Sequence, residues 1–380
     1  MSGIYIHIPF CKSRCSYCDF HSGTDLLLKE KLISAICSEI KSRKDYFPSR
    51  TSGNDNEPIK TIYFGGGTPS LLNISELSKI LNTIHQTFDT SQVIETTLEA
   101  NPDDITNEYA KMLRNHFNRI SIGIQSFDNN ELTLMNRRHS AEKAIESVNI
   151  CQSNGFDNIS IDLMYGLPNQ NVKSWENNLK KAIELNVQHI SAYHLTYEND
   201  TKITQLLNDK KINSVSEETS LEMFNRLTEL LEQNGFEQYE ISNFAKKGFR
   251  SKHNSSYWSN SAYIGIGPSA HSYNLHSRQW NICNTKQYIN NIENKTAFFE
   301  KENLSAEEKY NDFIITRLRT KEGINLDMLK NFGEKFYQYG LKNADNWIKE
   351  NVLEINDNYL RLTKKGIFIS DTVFSDLIWV

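Results

Sequence analysis

Three of the six cysteines lie within eight residues, as Cys11-x3-Cys15-x2-Cys18, while Cys37, Cys151 and Cys283 are scattered and have no assigned role. Thiolates at that spacing can wrap one compact loop around a metal centre, and soft sulfur ligands select zinc, Cu(I) or an iron–sulfur cluster. Structural zinc ordinarily takes four protein ligands from two separated halves. The second half is missing here, although His7 or His21 is placed to complete such a site. Three cysteines on a four-iron cluster leave one iron without a protein ligand, which suits catalysis or ligand binding better than plain electron transfer.

The elements that must position these groups follow from hydrophobic periodicity. Short β-branched or aromatic runs at Ile4–Ile8, Thr61–Phe64, Thr96–Glu99, Arg119–Ile124, Ile159–Met164 and His189–Leu195 read as strands. Between them, Leu26–Arg43, Ser75–Thr87, Ala141–Asn154, Val172–Asn186 and Glu217–Asn234 read as amphipathic helices. Such alternation predicts parallel βα units. The strand ends carry the cysteines, Gly65-Gly66-Gly67-Thr68-Pro69, Glu99, Gln125, Asp162 with Gly166, and Tyr193 with His194. In a βα barrel these carboxyl ends converge on one mouth. Consecutive glycines there offer backbone N–H groups without side-chain bulk.

A chain of 380 residues with 38% hydrophobic residues and a net charge of −5 can build a sizeable core, which excludes disordered and collagen-like classes. No apolar run reaches the ~20 residues that span a bilayer. The N-terminus lacks a basic leader and a small-residue cleavage site, so a cytoplasmic location with at most peripheral membrane contact is expected. The acidic balance argues against non-specific nucleic-acid binding. Arg43–Lys60 reads as a surface loop and Asn284–Ser305 as a connector, dividing the chain into residues 1–285 and 286–380. The second part predicts helices over Ala306–Arg319, from Leu326 and around Ala344–Lys349, then a hairpin of Leu353–Ile355 and Tyr359–Leu362. It is winged-helix-like, but its acids and bases nearly cancel, so packing or substrate coverage is expected rather than DNA binding.

The cysteine triplet, Tyr17 and the GGGTP turn resemble the radical S-adenosylmethionine (SAM) superfamily. Tyr5–Cys11, Phe64–Ser70, Glu99–Pro102, Arg119–Phe127, Asp162–Pro168 and Gln238–Asn243 extend the match, and are similar to the oxygen-independent coproporphyrinogen III oxidase-like family over nearly the whole chain. The resemblance implies an α/β fold, a partial (β/α)6-type barrel with a small, mostly helical, winged-helix-like C-terminal domain. It implies a [4Fe–4S] cluster on Cys11, Cys15 and Cys18, and SAM held among Tyr5, Tyr17, Gly66, Gly67, Thr68, Glu99, Gln125, Arg137 and Asp162. Glu99 and Asp162 suit ribose hydroxyls or an ammonium group, although either residue type also serves as a helix cap. Arg137 suits a carboxylate in a bidentate fork. Tyr5 and Tyr17 suit packing on the cluster or on adenine.

Two branches of that family differ in function. The oxidases decarboxylate coproporphyrinogen III, and carry an N-terminal extension and a further cysteine two residues after the triplet. Here ten residues precede Cys11 and that position is Phe20. Both features resemble the heme-chaperone branch, which would hand heme to apoproteins of respiration or other pathways; the oxidase stands as the alternative, and the electron donor is open. The element His253-Asn-Ser-Ser-Tyr257-Trp258 strengthens the chaperone resemblance, since an imidazole is a common axial ligand and Tyr257 and Trp258 offer flat surfaces to a macrocycle. A histidine hydrogen-bonded beside two core aromatics is the competing reading, and His271 ranks below His253. Asn136 and Ser251 depart from the family pattern, in which Gly and Cys respectively are common.

Overall fold

The computed structural model describes residues 2–47 and 58–380. Six parallel strands form the frame: β1 (Ser2–Ile8), β2 (Ile59–Gly66), β3 (Glu95–Ala100), β4 (Arg119–Gln125), β5 (Ile159–Tyr165) and β6 (His189–His194), hydrogen-bonded in chain order. Helices α1 (Lys29–Ser42), α2 (Ile74–Thr87), α3 (Asn107–Leu113), α4 (Asn129–Leu134), α5 (Ala141–Ser153) and α6 (Val172–Glu184) connect them. The sheet does not close, so the fold is a partial (β/α)6 barrel.

Period-2 alternation decides what each strand face does. Ile4, Ile6, Ile8, Ile62, Phe64, Leu98, Ile120, Ile122, Ile159, Ile161 and Ile190 join the buried apolar core against the helices. The alternate positions face a polar lumen, where Thr61, Tyr63, Glu99, Ser121, Asp162, Ser160 and His189 hydrogen-bond one another or neighbouring groups. Asn73 and Asn171 close capping boxes that start α2 and α6.

Beyond β6 come α7 (Lys202–Asn208), α8 (Glu217–Gln233), β7 (Phe236–Gln238) and β8 (Asn243–Lys246); β8 pairs antiparallel to β6, and β7 pairs antiparallel to β8 at the sheet edge. Helix α9 (Lys252–Trp258) then crosses to the other edge, where β9 (Tyr263–Ile266) pairs parallel to β1. β10 (His271–Tyr273), β11 (Ser277–Asn281), α10 (Thr285–Glu293) and β12 (Phe299–Asn303) complete a twelve-stranded sheet. The expected connector Asn284–Ser305 therefore holds a helix and an edge strand. Strand β12 is mostly exposed and lacks an apolar face, so it reads as a loop, yet it pairs with β11 from Phe299 to Asn303. The sheet thus runs past the expected division at residue 285. Most of the expected Arg43–Lys60 loop lies outside the described residues. Of its described ends, Ile59 and Lys60 belong to β2, and Arg43 is buried against Glu39 at 2.9 Å. The short α3, α4 and α7 escaped the sequence reading because each is too brief to show helical periodicity.

A second core holds Tyr310, Phe313, Ile314, Leu329, Phe336 and Leu360. It is built from α11 (Ala306–Leu318), β13 (Ile324–Asn325), α12 (Leu326–Lys330), α13 (Glu334–Lys349), the hairpin β14 (Leu353–Asn356) and β15 (Tyr359–Leu362), α14 (Lys364–Phe368) and α15 (Ser370–Leu377). The hairpin and β13 form a three-stranded wing. This unit docks on the barrel through Phe368 against Phe224 at 5.8 Å and ion pairs Lys364–Glu232, Arg319–Glu240 and Arg250–Glu322. Among the described residues, no helix is long and apolar enough to cross a membrane.

Candidate functional site

The carboxyl ends of β1–β6 open onto one cavity of about 960 Å3. Cys11, Cys15 and Cys18 line it from the loop after β1, each with a free, half-buried thiol. That loop is pinned through its backbone: Cys11 N–H donates to the Gly23 carbonyl at 2.9 Å, and Ser16 N–H donates to that of Met135 at 3.0 Å. Asn136 adopts φ +55° and donates from Nδ2 to the Arg14 carbonyl at 2.8 Å. Asparagine tolerates that left-handed backbone, so the departure from Gly before Arg137 preserves the turn.

Two donors face the thiols. Arg137 Nη1 lies 3.3 Å from Cys15 Sγ and Thr68 Oγ1 lies 3.4 Å from Cys11 Sγ. Burial, with Cys15 and Cys11 nearby, pushes the Cys18 thiol up to about 11 against a backbone hydrogen bond at Phe20. Three soft thiols on one loop, two of them beside donors that offset thiolate charge, fit an iron–sulfur cluster. Among the described residues no three His, Cys, Asp or Glu side chains gather as a single-ion site. In a cluster each thiolate meets a different metal atom, so its ligands stand farther apart. Cys37 and Cys151 are buried elsewhere in the core, and Cys283 is exposed beside Ser269.

Gly66, Gly67, Thr68, Glu99, Gln125, Arg137, Asp162 and Tyr17 all line the same cavity. Gly66 has φ +108°, and a Cβ there would sit 2.6 Å from His7 Cε1, so only glycine fits. Its N–H donates to Glu99 Oε2 at 3.2 Å, and the Tyr63 hydroxyl donates to Glu99 Oε1 at 2.7 Å. Burial, aided by Asp162, still raises the Glu99 carboxyl to about 7, against the opposing effects of Tyr63, Gly66 N–H and Arg119. Burial likewise raises Asp162 to about 6, opposed by Ser191, Arg119 and Ser121. Two carboxyls held part-protonated near neutrality are poised to ionise when a cation or a set of hydroxyl donors arrives. Gln125 carries a left-handed φ of +72° at a register shift between β4 and β5, strain of the kind that gathers at ligand sites. Tyr5 lies one layer below the cavity, stacked on Tyr63 at 6.1 Å with its hydroxyl 3.0 Å from His7 Nδ1.

The HNSSYW element, expected to offer heme an imidazole and two flat rings, lies outside the lining of this cavity. His253 sits at the opposite, amino-terminal end of the strands, with its Nδ1 2.8 Å from Thr61 Oγ1 and its Nε2 2.8 Å from the Tyr257 hydroxyl. Its ring stacks on Tyr63 at 5.0 Å and is 1% exposed. Both ring nitrogens are engaged and burial lowers its pKa to about 3, so in this fold His253 is a neutral floor residue. Glu95 anchors the helix by accepting from Lys252 and His253 N–H, and Ser251 caps it. Trp258 touches the cavity wall only indirectly, under the Arg319 guanidinium at 4.7 Å. The far wall, which includes Ser220 and Phe224 of α8, Arg319, and Ile367–Asp371, had no signal in sequence spacing, because it is assembled from elements far apart in the chain.

The fold and site have known counterparts. Residues 5–182 match the model of the radical SAM superfamily, and residues 304–369 match that of the HemN C-terminal domain. A heme chaperone HemW of Bacillus subtilis (strain 168) is 34% identical over 88% of this chain and 87% of its own length. The Lactococcus lactis HemW is 32% identical over 98% and 96% respectively. The solved coproporphyrinogen III oxidase (HemN) of Escherichia coli superposes with a TM-score of 0.84 at 22% identity, covering 99% of this chain and 90% of that one. At that identity the likeness is one of fold.

Proposed function

The chain belongs to the heme chaperone HemW family, and from that premise we propose that it binds heme and passes it to heme apoproteins, carrying a [4Fe–4S] cluster and SAM. The observation that carries this reading is the single cavity in which the three thiols, the Glu99–Asp162 carboxyl pair and a roomy aromatic wall meet. Cys11, Cys15 and Cys18 would hold the cluster, and Gly66, Gly67, Thr68, Glu99, Gln125, Arg137 and Asp162 would hold SAM beside it. Tyr17 would cover the cluster side and Tyr5 would support the layer beneath. When bound, the pair supplies one-electron chemistry at SAM. The chain's own residues orient the nucleoside and neutralise its charges: Arg137 offers its guanidinium to a carboxylate, and Glu99 and Asp162 offer acceptors. A location in the cytoplasm and respiratory recipients belong to the same proposal.

The test is a heme titration of anaerobically reconstituted protein, followed by transfer to an apoprotein and by product analysis with coproporphyrinogen III, SAM and a reductant. Stoichiometric heme binding with transfer and no decarboxylation is expected. Catalytic formation of protoporphyrinogen would overturn the chaperone reading in favour of the oxidase.

A further inference from the structure

Along β4 the core residues Ile120, Ile122 and Ile124 alternate with Arg119, Ser121 and Gly123, which face the lumen. Arg119 is 1% exposed, yet its Nε has no hydrogen-bond partner, and among the described residues its guanidinium forms no ion pair. A guanidinium stays charged inside a protein, and burying one without a partner is strongly unfavourable. Compensation must come from opposite charge within range of its field.

Two carboxyls stand one lumen layer above it. Arg119 pairs in register with Thr97 on β3, the lumen position before Glu99. Ser121, the next lumen position on β4, pairs with Glu99, and its hydroxyl donates to Asp162 Oδ1 at 3.4 Å. The other charged or titratable groups of the lumen are already engaged. His189 meets Ser160 Oγ through Nδ1 at 2.7 Å and the Tyr239 hydroxyl through Nε2 at 2.8 Å. Burial, and then the Arg119 charge, lowers the pKa of both His189 and His253, so neither ring is a second cation. Burial keeps the hydroxyls of Tyr5, Tyr63, Tyr193, Tyr239 and Tyr257 protonated. Glu95 accepts from the Lys252 and His253 N–H groups, and Glu240 accepts from Arg319 Nε at 3.2 Å. Arg137 is turned to the Cys15 thiol and the Gly123 carbonyl. Glu99 and Asp162 are therefore the countercharges left to Arg119. Burial raises both carboxyls, and the Arg119 charge opposes that rise at each.

We propose that Arg119 is a positioning residue of the nucleoside site, the buried cation that lets Glu99 and Asp162 carry the negative charge with which they would hold SAM. This rests on the SAM reading above. Arg119 lies beneath the two carboxyls and acts through them; no bond is made or broken. Removing the cation raises both carboxyls further, so near and below neutrality ligand binding must first expel protons. Well above neutrality they ionise unaided, and the loss disappears.

The experiment is a calorimetric titration with SAM, from about pH 6 to 9, of the anaerobically reconstituted full chain and its Arg119→Met and Arg119→Lys variants. Titration of the ligand itself is common to all three proteins and cancels in the ratio of dissociation constants. Methionine has a similar volume and leaves no donor unpaired, so that variant keeps the fold. Arg119→Met should bind about tenfold more weakly at the acid end, as expected for carboxyls raised by about one pH unit. The gap should close to within about twofold at the alkaline end. Arg119→Lys keeps the charge and should stay within about threefold of the wild type throughout. A ratio for Arg119→Met that is constant with pH, or an Arg119→Lys ratio that matches it, would mark a packing residue and overturn the assignment while leaving the SAM reading intact. Failure of the wild-type chain to bind SAM would overturn both.

Discussion

The Tyr63 hydroxyl donates to Glu99 Oε1 at 2.7 Å, and so joins the floor of the barrel to its mouth, because the same tyrosine ring stacks on His253 at 5.0 Å. Removing that donor leaves a half-buried carboxylate with Gly66 N–H as its remaining close hydrogen-bond donor. A hydrogen bond to a charged group contributes about 1.5 kcal/mol or more. Tyr63→Phe should therefore weaken SAM binding about tenfold at pH 7.5, measured by calorimetry, with an unchanged far-UV circular dichroism spectrum.

The raised Glu99 carboxyl gives a signed pH dependence. Its folded pKa, about 7, lies above the ordinary carboxyl value of 4.5. Between those values the folded state holds a proton that the unfolded state has lost, so its contribution to stability falls as pH rises. The denaturant midpoint of the wild type minus that of Glu99→Gln should decrease steadily from about pH 4.5 to 7 and level off above. A flat difference across that window would contradict the burial argument.

His253 as a floor residue predicts a stability effect. Alanine there leaves the Thr61 and Tyr257 hydroxyls facing a void, at a cost of roughly 2–4 kcal/mol for the lost packing and unpaired groups. Thr61→Val should cost less, because it removes one partner and fills the space. Urea melts of the two variants check the ordering.

Glu39 ties α1 to the sheet extension, accepting from Arg43 Nη1, Gly267 N–H and Asn281 Nδ2, each at 2.9 Å, and from the Tyr288 hydroxyl. Glu39→Ala strands a buried guanidinium and should cost about 3–5 kcal/mol. The double change Glu39→Met with Arg43→Met should recover part of that loss in the same melts, since no uncompensated charge remains.

The cysteines divide by role. After anaerobic reconstitution, wild type and Cys283→Ser should each hold about four irons and four sulfides and be brown, whereas Cys15→Ser should lose both. Zinc at one per chain in the wild type, with no sulfide, would exclude the cluster.

What the sequence determined by itself was local. The cluster ligands are legible because three thiols within one short loop need no tertiary information to be recognised together. The strand ends carrying Gly66, Glu99, Gln125 and Asp162 are legible because period-2 strands and helical runs recur regularly, and parallel βα units bring their carboxyl ends to one side. Tertiary structure decided where the later elements go. The direction of His253 depends on α9 being drawn under the barrel by Glu95, 158 residues away, and nothing in HNSSYW specifies that partner. Strand β12 has too little apolar patterning to be seen until β11 supplies its hydrogen bonds. The far wall, where His194 meets Ser220 and faces the C-terminal unit, comes from segments that approach only when the second core docks on α8. Spacing reveals contacts along one loop or one helix face; contacts made by docking depend on buried area and shape, which the linear pattern does not carry.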